Sequence, residues 1–358
     1  MQFDMHYFGT FAMAYAAGLQ TSHAHTLATS AQLVDDNNFN ALHELDSGQA
    51  VMGVATAHHP LDAGTRVVGI GNPDDSRMIW VPFHFLPGNE GKTFEEKVIC
   101  RKNSAVAQTM MAYYTKQQTV DAHRDHCLQL MGIAGHVYAD TFSHYGFSGI
   151  SSKLNEVDAT TINLDKRHSK GMLDYLKSKA LDFGETFSAA FAGTVQLGHG
   201  AVATYPDRPF LRWSYTAPDG NRLVRDNPST FLEACQALHE SFSRFRAAFY
   251  ASGNGGKVVP FSQIEAVVKE ILAIEADANG RISVWKKALK DGRIGDALPV
   301  PDYSPTQWID DLKSVKELVF NTNLKRVDSP AYGFFTAADY HRNYVLKRLL
   351  PEVGLFVA

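Results

Sequence analysis

The sequence lacks the features that would place it outside the ordinary globular proteins. Its three cysteines, Cys100, Cys127 and Cys235, are far apart and form no CxxC pair, which argues against a disulfide framework or a thiolate zinc knuckle. Positive charge is not in excess, since 34 Lys and Arg stand against 38 Asp and Glu, so duplex nucleic acid is not expected as the main partner. No run of about 18 apolar residues occurs, and no transmembrane segment is predicted.

The amino-terminal stretch from Tyr7 to Gly18 is apolar and ends in small residues, as the central part of a signal peptide does. No Lys or Arg precedes it, whereas Asp4 does. We therefore predict that the protein is cytoplasmic or is exported without a cleavable signal peptide. Few and unpaired cysteines agree with an origin in a reducing compartment.

Apolar residues recur at helical spacing through most of the 358 residues, which predicts an all-α multi-helix bundle with irregular insertions. Frequent Gly and Pro residues from 37 to 91 predict an irregular segment with short strands near 66–70 and 78–82. The segment 193–220 is predicted to be a loop. A break in the sequence pattern near 225 predicts a division of the chain into a metal-site domain, 1–225, and a helical C-terminal extension, 226–358. The extension is expected to pack on the metal-site domain. The extension could dock a protein partner.

The strongest chemical signal is the spacing of His136, Asp140 and His144 in a segment predicted to be a buried helix. Intervals of four residues place the three side chains on one helical face. Imidazole and carboxylate are ligands that zinc prefers, and burying three ionisable groups is costly unless a metal or mutual contacts satisfy them. A network of hydrogen-bonded core residues is the alternative.

Other His and Asp residues are predicted to lie at the ends of elements, where they could complete a metal cage. Ligands drawn from several elements are typical of multinuclear centres in helical bundles. The further candidates are Asp4, His6, Asp35, Asp36, His84, His199 and Asp207.

The run from Leu130 to Asp140, LMGIAGHVYAD, resembles the central motif of the zinc-dependent phospholipase C superfamily, which also contains fungal single-strand-specific nucleases. The order of the flanking candidates is similar as far as Asp207. The resemblance implies an all-α fold of that type and two or three zinc ions. It also implies that a free amino-terminal amine is a ligand, a role that the Met1 amine or the Asp4 carboxylate could fill here. Asp207 could replace a family Glu that follows the last His, because this chain has Ala203 at that position.

The function implied is hydrolysis of phosphoesters by a metal-activated water, with phospholipase C ahead of nuclease. Asp35 or Asp36 would orient the nucleophilic water, and Asp36 is also a candidate ligand. Arg208 and Arg212 could hold the phosphate. The acidic balance and the aromatic segment from Tyr205 to Tyr215 favour a phospholipid or small phosphoester as substrate. The alternatives are a non-catalytic, metal-stabilised binding protein and a nuclease-like phosphodiesterase.

Overall fold

The computed structural model describes residues 1–38, 42–45, 47–57, 74, 76–117, 124–150, 152–179, 202, 204–251, 253–314, 319–321, 326–327 and 329–357. The chain is mostly helical, which confirms the largely α class, but small sheets are also present. Across the described ranges, no helix combines the length and the hydropathy needed to cross a membrane.

The helices cover both the predicted metal-site part and the C-terminal part of the chain. In chain order they are α1 (Thr10–Ala16), α2 (Thr21–Asp36), α3 (Phe94–Val98), α4 (Ala105–Tyr114), α5 (Cys127–Ser143), α6 (Asn227–Phe249), α7 (Phe261–Leu272), α8 (Ala278–Lys290), α9 (Gln307–Ser314) and α10 (Pro330–Tyr344). Another helix includes 170–179. Wider π-helical turns occur at Asp4–Gly9, Ser76–Trp80 and Val345–Leu349.

The strands are short and antiparallel. They are β1 (Leu42–Glu44) with β2 (Ala50–Met52), the sheet of β3 (Asn163–Leu164), β4 (Arg212–Thr216) and β5 (Arg222–Asp226), and β6 (Phe320–Asn321) with β7 (Arg326–Val327). In the three-stranded sheet β4 is central, and Ser214 pairs with Asn163 on one side and with Val224 on the other.

Two local predictions were wrong. The segment predicted as a strand at 78–82 is helical, because Ser76–Trp80 is a π-helical turn and Val81–Phe83 continues it, with Pro82 in a first-turn position that a helix tolerates. The predicted loop at 193–220 contains β4, which turns at Gly220 into β5. The strand predicted at 66–70 lies outside the described residues.

Helix α5 is the centre of the bundle, and its residues are buried on every side except at Leu128. It packs against α2, α4, α6 and α10. The approach to α2 depends on Gly132, because a Cβ there would lie 2.3 Å from the carbonyl oxygen of Leu27. Ligand candidates on α2 and α5 are therefore brought together by backbone contact.

One large hydrophobic core includes residues from both sides of position 225. Phe11 and Ile133 precede it, Phe242, Trp285 and Phe334 follow it, and all five are fully buried. The C-terminal helices therefore pack directly on the helices that carry the predicted ligands. A second, smaller core lies under the three-stranded sheet.

Candidate metal centre

Five predicted side chains from four elements meet around Asp140. His6 lies in the π-helical turn Asp4–Gly9, Asp35 at the end of α2, His84 just after the turn at 81–83, and His136 and Asp140 on α5. His6 Nε2 is 3.2 Å from Asp140 Oδ1, and His136 Nε2 is 3.2 Å from Asp140 Oδ2. Two of the three π-helical turns in the described residues contain or closely precede a candidate ligand, and such turns are frequent at functional sites.

These side chains form two overlapping groups with the spacing of metal ligands. One is His6, His136 and Asp140, and the other is Asp35, His84 and His136. Within each group the potential ligand atoms all lie within 4.8 Å of one another. His136 belongs to both groups, so two ions held here would be neighbours.

Three of the histidines are oriented by backbone carbonyls. Nδ1 of His136 lies 2.7 Å from the oxygen of Ala31, and Nε2 of His84 lies 2.8 Å from that of Thr56. Nδ1 of His144 lies 2.8 Å from the oxygen of His84. In a neutral imidazole, a carbonyl that accepts from one ring nitrogen leaves the other free for a metal, which is how metal-binding histidines are commonly held.

Polar atoms at the centre of the cluster are buried without hydrogen bonds. Both ring nitrogens of His6 and Oδ2 of Asp140 have no hydrogen-bond partner in the part of the chain that the structure describes, although His6 Nε2 is close to Asp140. Orphaned buried polar atoms cost free energy. Because they lie among imidazole and carboxylate side chains, these atoms could hold a divalent cation.

The electrostatics of the cluster favour ionised carboxylates and a neutral His6, whereas at His84 the carboxylates of Asp140 and Asp35 outweigh burial and raise the pKa. Burial and the neighbouring His136 lower the pKa of His6 to about 4. Burial alone would raise the pKa of Asp140, but His144, the Met1 amine and His136 outweigh it and hold that pKa well below its usual range. Three imidazoles lower the pKa of Asp35 in the same way. Metal binding requires ionised carboxylate and neutral imidazole, so a metal ion would compete with a proton for His84.

A third group adjoins the first two on the side of His144 and Asp207. Nε2 of His144 lies 3.0 Å from Asp207 Oδ1, and the Met1 amine lies 2.6 Å from Asp140 Oδ1 and 3.3 Å from Asp207 Oδ1. Burial would lower the pKa of the amine, but the carboxylates of Asp140, Asp207 and Asp35 outweigh it and raise the pKa to about 11. The amine must lose its proton before it can bind a metal.

The structure distinguishes Asp35 from Asp36, and the Met1 amine from the Asp4 carboxylate, by their distance from the cluster. Asp35 lies in the cluster, whereas Asp36 accepts hydrogen bonds from Tyr303 at 2.6 Å and from Gln32 at 3.1 Å. The structure therefore brings Asp35 and not Asp36 into the ligand groups, because successive side chains of a helix point about 100° apart. Asp4 is likewise not brought to the cluster, since its carboxylate forms a buried ion pair with Arg281.

The predicted phosphate-binding arginines have protein partners. Arg208 is buried, donates to Thr204 Oγ1 and lies over the ring of Tyr175. Arg212 pairs with Asp226 at 3.0 Å on the three-stranded sheet. His199 lies outside the described residues. Neither arginine contacts the metal ligands in the described part of the chain.

The aromatic segment from 205 to 215 is a core and not an exposed lipid-binding surface. Tyr205, Trp213 and Tyr215 are buried in the smaller core, so one reason for preferring a lipid substrate is removed. Sequence reasoning also missed Arg281 and the three backbone carbonyls that orient the histidines. No local pattern could have indicated Arg281, because it follows Asp4 by 277 residues.

The chain belongs to the DUF6765 family, a family of unknown function whose model matches residues 1–349. The match covers the candidate metal ligands and nearly all of the C-terminal helices. No curated protein matches the chain, and no solved structure does.

Proposed function

We propose that the protein is a metal-dependent phosphoester hydrolase, with zinc as the metal and a phospholipase C-like reaction. The observation that carries the proposal is the pair of overlapping ligand groups that share His136, together with the orphaned nitrogens of His6. Two neighbouring metal positions are typical of enzymes that stabilise both the attacking and the leaving oxygen of a phosphoester. The similarity of the LMGIAGHVYAD run to the zinc-dependent phospholipase C motif also supports a phosphoester hydrolase.

The chemistry divides between the bound metal and the residues around it. Bound zinc would lower the pKa of a water to about 7 and polarise the phosphoryl oxygens. His6, His136 and Asp140 would hold one ion, while Asp35, His84 and His136 would hold the other. His144 and Asp207, with the Met1 amine beside them, would hold a third if it binds.

Asp35 is the residue best placed to meet substrate. Its side chain is 28 % exposed, whereas those of His6, His84, His136 and Asp140 are at most 6 % exposed. Water and a phosphoester would therefore approach from the Asp35 side. As an ionised carboxylate it could accept a proton from the attacking water and orient it.

The experiment is turnover of a panel of phosphoesters before and after chelation. The panel is p-nitrophenyl phosphorylcholine, bis(p-nitrophenyl) phosphate, p-nitrophenyl phosphate and single-stranded DNA. We expect turnover that disappears with EDTA, returns with zinc and is absent in Asp140→Ala. His239→Gln is the control for changing a buried histidine, because His239 Nε2 bonds to the oxygen of Val259, outside the cluster.

The panel also decides between the hydrolase and its alternatives. Turnover of DNA without turnover of the phosphorylcholine ester would favour a nuclease-like phosphodiesterase. A non-catalytic, metal-stabilised binding protein is favoured by the depth of the cluster, in which every ligand but Asp35 is nearly inaccessible. Protein that carries its full complement of zinc and turns over no ester would support that alternative against hydrolysis.

A further inference from the structure

Arg281 is a fully buried arginine on α8 whose hydrogen bonds reach the start of the chain. Its Nε donates to Asp4 Oδ2 at 2.8 Å, and one terminal nitrogen donates to Asp4 Oδ1 at 2.9 Å. That nitrogen also donates to Gln2 Oε1 at 2.5 Å, and the other donates to the carbonyl oxygen of Ala276 at 2.6 Å. A two-point guanidinium–carboxylate contact fixes both the distance and the orientation of its partner.

The segment held by Arg281 includes the first residues of the π-helical turn that carries His6. Asp4 begins this turn, and His6 follows two residues later. Helix α8 also packs against the turn through Trp285, which lies near Gly9 and is fully buried. The C-terminal part of the chain is therefore in contact with the turn that carries one particular candidate ligand, His6.

The ring of His6 lacks the hydrogen bond to a backbone carbonyl that orients each of the other three histidines. His84, His136 and His144 each have one ring nitrogen at a backbone carbonyl. Within the described ranges, neither nitrogen of His6 makes a hydrogen bond, and its ring is stacked on that of His136. Its position is therefore set by the backbone of the turn, and hence by what holds that turn.

We propose that Arg281, through Asp4, is a positioning residue that places His6 for metal binding. The inference rests on the proposed metal centre and assigns a role to the C-terminal helices. It predicts that the pair acts on the group formed by His6, His136 and Asp140 and leaves the group of Asp35, His84 and His136 unaffected, because the two histidines of the latter are oriented by carbonyls that Arg281 does not touch.

The experiment measures stepwise zinc affinity by competition with a chromophoric chelator. His6→Ala and His84→Ala first identify which binding step belongs to which group. The test variant is Asp4→Asn combined with Arg281→Gln, which removes both charges and so leaves no buried charge unpaired. We expect the step assigned to the His6 group to weaken by about tenfold or more, the usual effect of removing a group that orients a ligand, and the other step to change by less than about threefold.

Two further variants separate positioning from general stability. Trp285→Phe loosens the contact of α8 with the same turn but keeps the ion pair, so it should lower the melting temperature and leave both zinc affinities unchanged. Arg281→Lys keeps the charge without the two-point contact and should show an intermediate loss. If the double variant does not fold, Arg281→Lys, which keeps a positive charge opposite Asp4, makes the same comparison.

The outcomes also distinguish this inference from the proposed function. Wild-type protein that takes up no zinc would refute the metal centre and the positioning role together. Wild-type protein that takes up zinc, with a double variant that matches it in both steps, would refute the positioning role alone. Equal weakening of both steps, or the same weakening in Trp285→Phe, would show that the ion pair is only structural.

Discussion

The imidazole rings of His6 and His136 are stacked, with their centroids 3.8 Å apart and their planes inclined by 18°. One ring comes from the first turn of the chain and the other from the central helix, and both have Nε2 at 3.2 Å from the carboxylate of Asp140. Burial and the charge of the neighbouring His136 lower the pKa of His6, which favours its neutral ring. Neutral rings are the form that binds metal.

Because His136 belongs to both ligand groups, its removal should have a larger effect than that of any other histidine in them. We expect His136→Ala to abolish binding of both ions, whereas His6→Ala and His84→Ala should each remove one ion and leave the other. The measurement is zinc per chain by elemental analysis after dialysis. His239→Ala is the control. Equal metal content in all four variants would contradict the two-group arrangement.

Asp35 and Asp36 should differ in their effects although they are neighbours in the sequence. Asp35→Asn removes a ligand and the candidate base, so we expect turnover to fall by about 100-fold or more. Asp36→Asn keeps an oxygen that can accept from Tyr303 and should change turnover by less than about threefold. The measurement is kcat/KM with the best ester of the panel.

A larger effect of Asp36→Asn than of Asp35→Asn would contradict the assignment of Asp35 to the site. It would mean that Asp36 is the carboxylate on which turnover depends. Zinc content measured on the same samples would show whether the loss reflects missing metal or a missing base.

The proximity of His136 and Asp140 could be predicted from the sequence because their spacing and the helix that carries them are both local. His136 and Asp140 lie one turn apart on a helix whose apolar composition already indicates burial. The choice between Asp35 and Asp36 could not be predicted, because it depends on the rotation of the last turn of α2 and on Tyr303, which lies 267 residues away. The ion pair of Asp4 with Arg281 is non-local in the same sense.

The missed strands have a different cause. A strand is recognised in a sequence by alternation of buried and exposed residues, but Trp213, Ser214 and Tyr215 of β4 are all buried. Both faces of this strand are covered, so no alternation was present to detect. The π-helical turn at Ser76–Trp80 was missed because Ile, Trp and Val in succession are typical of strands.

Gly132 should be intolerant of even one added carbon. A Cβ at this position would lie 2.3 Å from the Leu27 carbonyl oxygen and 2.7 Å from Ser30 Cβ, so Gly132→Ala must push α2 away from α5. We expect the free energy of unfolding to fall by about 1–3 kcal/mol, and zinc affinity to fall as well, because Asp35 moves with α2. Gly171→Ala is the matched control, since a Cβ there meets nothing within 4 Å. Urea denaturation of both variants measures the difference, and equal midpoints would contradict the close contact.

His341 should make the stability of the metal-free protein depend on pH. It is fully buried, with Nε2 at 2.8 Å from the oxygen of Pro82 and Nδ1 at 3.0 Å from the hydroxyl of Tyr114. Burial lowers its pKa to about 4, against 6.5 for an exposed histidine. Between these two values the unfolded chain binds a proton that the folded protein does not. The free energy of unfolding therefore falls as the pH is lowered through this window, by up to about 3 kcal/mol for this one group.

A variant that cannot titrate isolates this contribution from that of His6, whose pKa is lowered in the same direction. His341→Gln retains a side-chain donor that can reach the carbonyl of Pro82 but takes up no proton. We expect its unfolding free energy to depend less steeply on pH than that of the wild type between about pH 6.5 and 4, with the two curves parallel above about pH 7.5. Urea unfolding in EDTA across this range measures both curves. Parallel curves over the whole range would mean that His341 takes up its proton in the folded protein as readily as in the unfolded chain.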